Sequence, residues 1–135
     1  MNPTNSFRFV PTAAVFAMLV ICGGCHKKSE PVAVPDVAAV QSEAQQAVAK
    51  AKLEAKKSIK SAAKTMGADS RDVERAKITG AFDIAMTRAE GDHKVADEKC
   101  LTLDQPAQQA CKDKAADEYQ AAASKAKANR DSQLR

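Results

Sequence analysis

Residues 96–115, ADEKCLTLDQPAQQACKDKA, decide the fold of this chain. A turn signal, Leu103-Asp104-Gln105-Pro106, lies midway between two cysteines, Cys100 and Cys111. Asp104 is suited to capping a helix. Pro106 suits a helix's first turn, where its missing N–H goes unnoticed. Upstream, Ile78, Phe82, Ala85, Ala89, His93, Ala96, Cys100 and Leu103 recur at steps of three and four. Downstream, Cys111, Ala115, Tyr119, Ala122 and Ala126 do the same. That spacing is the helical period. An antiparallel hairpin centred between Gln105 and Pro106 sets Cys100 opposite Cys111, Ala96 opposite Ala115 and Ala89 opposite Ala122. These small pairs let the axes approach to the roughly 5.5 Å Cα separation that a disulfide needs. The expectation is an all-α chain with a disulfide-stapled hairpin over residues 69–129. Its helices cover about 71–103 and 107–129, the turn lies near 104–106, and residues 130–135 form a frayed tail.

Such a staple has a physical purpose. Ala-rich helices of this length are weak in water, and closing so short a loop stabilises by about 2–3 kcal/mol. Asp69 or Ser70 can cap the first hairpin helix. Gly91 inside it costs about 1 kcal/mol relative to Ala, which allows a kink or break. A faint echo runs through the hairpin: Phe82-Asp83-Ile84-Ala85, His93-Lys94-Val95-Ala96 and Tyr119-Gln120-Ala121-Ala122.

Working back along the chain, Asp36 precedes another helical stripe: Val37, Val40, Ala44, Val48, Ala51, Ala55, Ile59, Ala62 and Met66. It predicts an amphipathic helix over 36–66, stopped at Gly67. Lys50, Lys52, Lys56, Lys57, Lys60 and Lys64 occupy one broad arc, apart from that of the apolar stripe and countered in that stretch only by Glu54. A solvated outer face is the plain reading of this lysine arc. Attraction to a polyanion of the cell envelope is the sharper one: anionic lipid, lipopolysaccharide phosphate or peptidoglycan carboxylates. Each Lys near such a surface adds about 1 kcal/mol, lost with salt. No aromatic belt accompanies the arc.

The 44% hydrophobic content does not describe a thick core. Much of it is alanine, which contributes little per residue buried. Three of the four Phe (Phe7, Phe9, Phe16) fall in the first 25 residues, and beyond Cys25 only Phe82 and Tyr119 are aromatic. The helices are therefore expected to be extended rather than globular. The formal charge of +4 becomes about +3 without Arg8. That mixed balance argues against a dedicated nucleic-acid binder.

The N-terminus speaks of address. Residues 1–8 are polar, Phe9 to Ile21 is an apolar run, and Cys22-Gly23-Gly24-Cys25 follows. The run is shorter than the ~20 residues of a membrane-spanning helix and matches a signal-peptide core. The segment resembles the lipobox signal of bacterial lipoproteins, with Gly24 before the modified cysteine and Cys22 where Leu is usual. The resemblance implies a signal peptide over 1–24 and lipidation at Cys25, anchoring a body that faces the periplasm. One acyl chain holds only marginally, and lipoproteins of this type carry two or three. His26 stands where some Gram-negative bacteria use Asp for inner-membrane retention, so the outer membrane is expected in such a host. Residues 25–35, with Pro31 and Pro35, read as the lipidated cysteine and a flexible tether. Cys22 then leaves with the leader and Cys25 takes lipid, so Cys100 and Cys111 remain as an even pair for an oxidising compartment.

The run from Asp92 through Cys100, followed ten residues later by Cys111-Lys112-Asp113, is similar to a group of Ala/Lys-rich proteobacterial envelope proteins with a YKVAxEKC…C pattern. His93 stands where many of them have Tyr. The likeness implies a periplasmic helical protein and assigns no activity.

Other chemistry is weakly indicated. Redox dithiols usually sit as Cys-x-x-Cys at a helix N-terminus, unlike Cys100 and Cys111. A metal site from His93, Cys100 and Cys111 would need a bend, since His93 lies two turns from Cys100. No catalytic motif, metal site or cofactor is read, and no small-molecule substrate is implied. The chain ends in Arg135, not in a Lys suited to cell-wall crosslinking. The expectation is a non-enzymatic envelope protein that is held to the membrane through Cys25 and associates with itself or another envelope protein.

Overall fold

The computed structural model describes residues 36–65 and 69–135. The leader, Cys25, the tether, Met66 and Gly67 lie outside those residues. Three helices make up the described chain: α1 (Val37–Lys64), α2 (Ser70–Cys100) and α3 (Gln105–Gln133).

Each helix begins at an aspartate. Asp36 accepts the Ala39 N–H at 2.9 Å, and Asp69 accepts the Arg71 N–H at 3.2 Å. Both satisfy donors that the first helical turn leaves free. Asp104 holds the corresponding position in α3 but makes no side-chain cap bond. The turn is closed from the other side, where the Gln108 side chain donates to the Leu103 carbonyl at 2.9 Å.

α2 is the central element. Its register against α1 is antiparallel: Gly80 meets Ala55, Gly91 meets Ala44, and near its end Glu98 accepts the Asp36 N–H at 3.1 Å. Its register against α3 is also antiparallel, from the Cys100–Cys111 disulfide through His93 on Tyr119 to Phe82 under Arg130. α1 and α3 do not approach each other. Gly80 and Gly91 lie on the opposite face of α2 from Ile78, Ala89 and Cys100, so the helices stand side by side with α2 in the middle.

An 11-residue pattern underlies both seams. On α1 the half-buried positions are Val37, Val40, Ala44, Val48, Ala51, Ala55, Ile59 and Ala62, which repeat the steps 3-4-4. On α2, Gly80 and Gly91 are 11 apart, as are Ile78, Ala89 and Cys100. Eleven residues make three turns at about 3.67 per turn, close to the straight-helix value, so the stripe stays on its partner along long helices. The Phe82/His93 echo in the sequence is one row of this repeat.

The packing is thin. Among the described residues the buried hydrophobic side chains are Ile78, Ala89, Cys100, Ala115 and Ala123, and α1 has no buried residue. The extended helical reading holds, with several local corrections. α2 runs unbroken through Gly91, whose role is closeness: an added Cβ would lie 2.8 Å from the Ala44 Cβ. α2 ends at Cys100, and Leu103 is 44% exposed in the turn. The staple and the Gln108 bonds redirect the chain before the stripe can reach Leu103. On α3, Ala123 is buried and Ala122 exposed, the reverse of the expected stripe. α3 also continues to Gln133, so the tail expected to fray from 130 is helical for four more residues. Arg130, packed over the Phe82 ring at 4.4 Å, holds it down.

Candidate functional site

The lysine arc of α1 is where the sequence placed a binding face. Lys50, Lys52, Lys56, Lys57, Lys60 and Lys64 are all exposed, and none joins an ion pair among the described residues. The reason is the seam. α1 turns its Val/Ala stripe onto α2, which leaves the lysine arc facing away or sideways.

Lys52 stands apart from the other five. It lines a groove of about 550 Å³ along the α1–α2 seam with Arg88, Asp92 and Lys99 of α2, over a floor that includes Ala44, Val48 and Val95. A second groove of about 810 Å³ runs between α2 and α3. It shares Arg88 and Asp92 with the first and adds Lys125. The two therefore open on the same side of the helical layer. Arg88 and Lys99 make no ion pair within the layer. Sequence reasoning did not place either in the basic face. The available signal was spacing, because Lys77, Arg88 and Lys99 follow one another at 11 residues.

The hairpin seam brings together the other residues singled out in the sequence. Cys100 and Cys111 form a disulfide with a Cα separation of 5.6 Å. Cys100 is fully buried. His93 stacks on Tyr119, with ring centroids 5.2 Å apart and planes inclined by 18°. The His93 Nε2 atom lies 3.6 Å from Asp97, and its Nδ1 is buried without a hydrogen-bond partner. Both sulfurs are committed to the staple, so neither offers a thiolate to a metal beside His93. Among the described residues no group of three or more His, Cys, Asp and Glu side chains is placed to hold a metal ion. No described helix is long and apolar enough to cross a membrane.

Among the described residues, the one carboxylate with a clear shift is Asp69. The Arg71 backbone N–H and guanidinium hold its pKa below the usual range, with a smaller contribution from the Ser70 hydroxyl.

No family model, curated protein or solved structure matches this chain.

Proposed function

We propose that the chain is a lipid-anchored cell-envelope protein with a non-enzymatic structural or protein-interaction role. The observation that carries this reading is the single layer itself. α1 and α3 each pack on one side of α2 and leave two long grooves unfilled. With five buried hydrophobic side chains among the described residues, the helical layer offers outward surface rather than an enclosed chamber for chemistry. The lipobox-like segment ending at Cys25 supplies the anchor in this reading, and the Cys100–Cys111 staple suits an oxidising compartment.

The test has two arms. Intact mass spectrometry of the native protein is expected to show a chain beginning at an acylated Cys25, with two hydrogens fewer than the reduced form. In-cell crosslinking is expected to trap the chain with itself or another envelope protein. An uncleaved, unmodified chain that crosslinks to nothing would remove the reading.

A second reading is favoured by the unpaired lysines of α1. In it, the chain binds an envelope polyanion through Lys50 to Lys64. Changing Lys56, Lys57 and Lys60 together to Gln is expected to abolish salt-sensitive binding to anionic vesicles or cell-wall sacculi. Unchanged binding would dispose of it.

A further inference from the structure

Along the α1–α2 seam, the helical layer has two sides of opposite charge. On one side of the α1–α2 seam lie Lys52, Arg88 and Lys99, with Asp92 the acidic exception. On the other side, the seam groove is lined by Glu54 and Ser58 of α1 with Thr79 and Asp83 of α2. The 11-residue repeat extends both patterns. Lys77 precedes Arg88 by 11 and so shares its azimuth; it is tied to Glu74 at 3.2 Å. Glu43 precedes Glu54 by 11, and Asp72 precedes Asp83 by 11. Glu90, two turns beyond Asp83, continues the acidic side, which Lys94 on α2 and Lys50, one turn before Glu54 on α1, interrupt. Apart from Lys77 with Glu74, these side chains make no ion pair among the described residues.

The two sides also match in pitch. Eleven helical residues rise about 16.5 Å, and this step separates the cations on one side and the carboxylates on the other. We propose that the basic side of this chain docks the acidic side of a second copy, in a heterologous, stacking contact. The inference rests on the interaction role proposed above and names its partner. Complementary charge is the argument for that partner, since the rows facing outward on one side have their counterpart on the reverse of the same molecule. Because the two surfaces differ, one contact leaves both outer sides free, and the association continues as an open stack instead of closing as a dimer. Single exposed pairs contribute little, so the rows must act together and salt must weaken them.

Sedimentation velocity of the full chain in nonionic detergent tests this. At about 20 mM salt, species larger than monomer are expected to grow with concentration. At about 500 mM the apparent affinity should fall at least roughly tenfold. The double variants Arg88→Glu/Lys99→Glu and Asp83→Lys/Glu90→Lys change exposed positions only, and unchanged helicity by circular dichroism would verify their folding. Each alone is expected to remain monomeric, whereas an equimolar mixture should associate. A wild type that stays monomeric at low salt, association unmoved by either reversal, or a mixture that fails to associate would each overturn the proposal. So would salt-sensitive binding to anionic vesicles without self-association, which assigns the basic side to a polyanion. Failure here with a crosslinked envelope partner would leave the broader interaction role standing.

Discussion

Gly91 of α2 and Ala44 of α1 touch so closely that a methyl group on Gly91 would stand 2.8 Å from the Ala44 Cβ. Eleven residues away, Gly80 has the same relation to Ala55, at 2.7 Å. Two effects compete at these positions. Ala is a better helix former than Gly by about 1 kcal/mol. Against that, the clash is with a Cβ fixed to backbone, so a helix must move, and overpacking of this kind costs about 1–3 kcal/mol. The clash is expected to win, and Gly91→Ala should lower the thermal midpoint. Ala44→Gly in the same chain should recover most of the loss by returning the space. Thermal denaturation of the two single variants and the double variant checks this. A Gly91→Ala chain melting higher than wild type would mean that α1 does not sit this close.

Reduction of Cys100–Cys111 is expected to lower stability by about 3 kcal/mol, the loop-closure value for an 11-residue separation. The loss should be local first, because near the turn the thin α2–α3 seam buries no large aliphatic side chain that could replace the staple, Leu101 and Leu103 being exposed. Hydrogen exchange in reducing buffer should show protection falling earliest at 98–112, before α1. Uniform loss across all three helices would show instead that the layer unfolds as one unit.

The helices were legible because their seams are periodic. Every α1 position expected to face a partner, from Val37 to Ala62, is half-buried. Cys100 and Cys111 could be paired from the turn alone, because proline and aspartate set the hairpin's centre. What stayed hidden depended on a neighbour. Gly91 reads as a weak point in an isolated helix, and only the Ala44 contact makes it a requirement. Ala122 and Ala123 are chemically identical, so pattern could not choose between them. Arg130 carries a charge and reads as tail, yet its guanidinium needs only the Phe82 ring to become part of the seam. The α1 lysines were visible as an arc. The meeting of Lys52 with Arg88 and Lys99 was not, because that groove exists only once the α1–α2 register is known.

Arg130→Ala is expected to release the end of α3. The guanidinium over Phe82 contributes about 0.5–1 kcal/mol at a partly exposed site, beyond the area its stem covers. The global midpoint should move little, because the last turn contributes few buried contacts. Amide exchange at 127–133 should accelerate severalfold, and Arg130→Lys should restore only part of the protection, since it retains the charge but loses the planar stack. Exchange unchanged in the Ala variant would mean that the last turn holds without this contact.

Asp69 gives the start of α2 a pH dependence with a definite sign. Its carboxylate accepts the Arg71 N–H and pairs with the Arg71 guanidinium, and both hold its folded pKa below the ordinary value of 3.8. A depressed folded pKa means that the cap's stabilisation is present above the unfolded value. It is lost as pH falls through the folded one. At neutral pH the cap should therefore be at full strength, and it should weaken only below about pH 4. Nuclear magnetic resonance titration should show the Arg71 amide signal moving with an acidic midpoint below 3.8. Asp69→Asn can still accept that amide's hydrogen bond but carries no charge, so its Arg71 signal should be flat across the same range. A midpoint at or above the ordinary carboxylate value in the wild type would remove the Arg71 pairing as the cause.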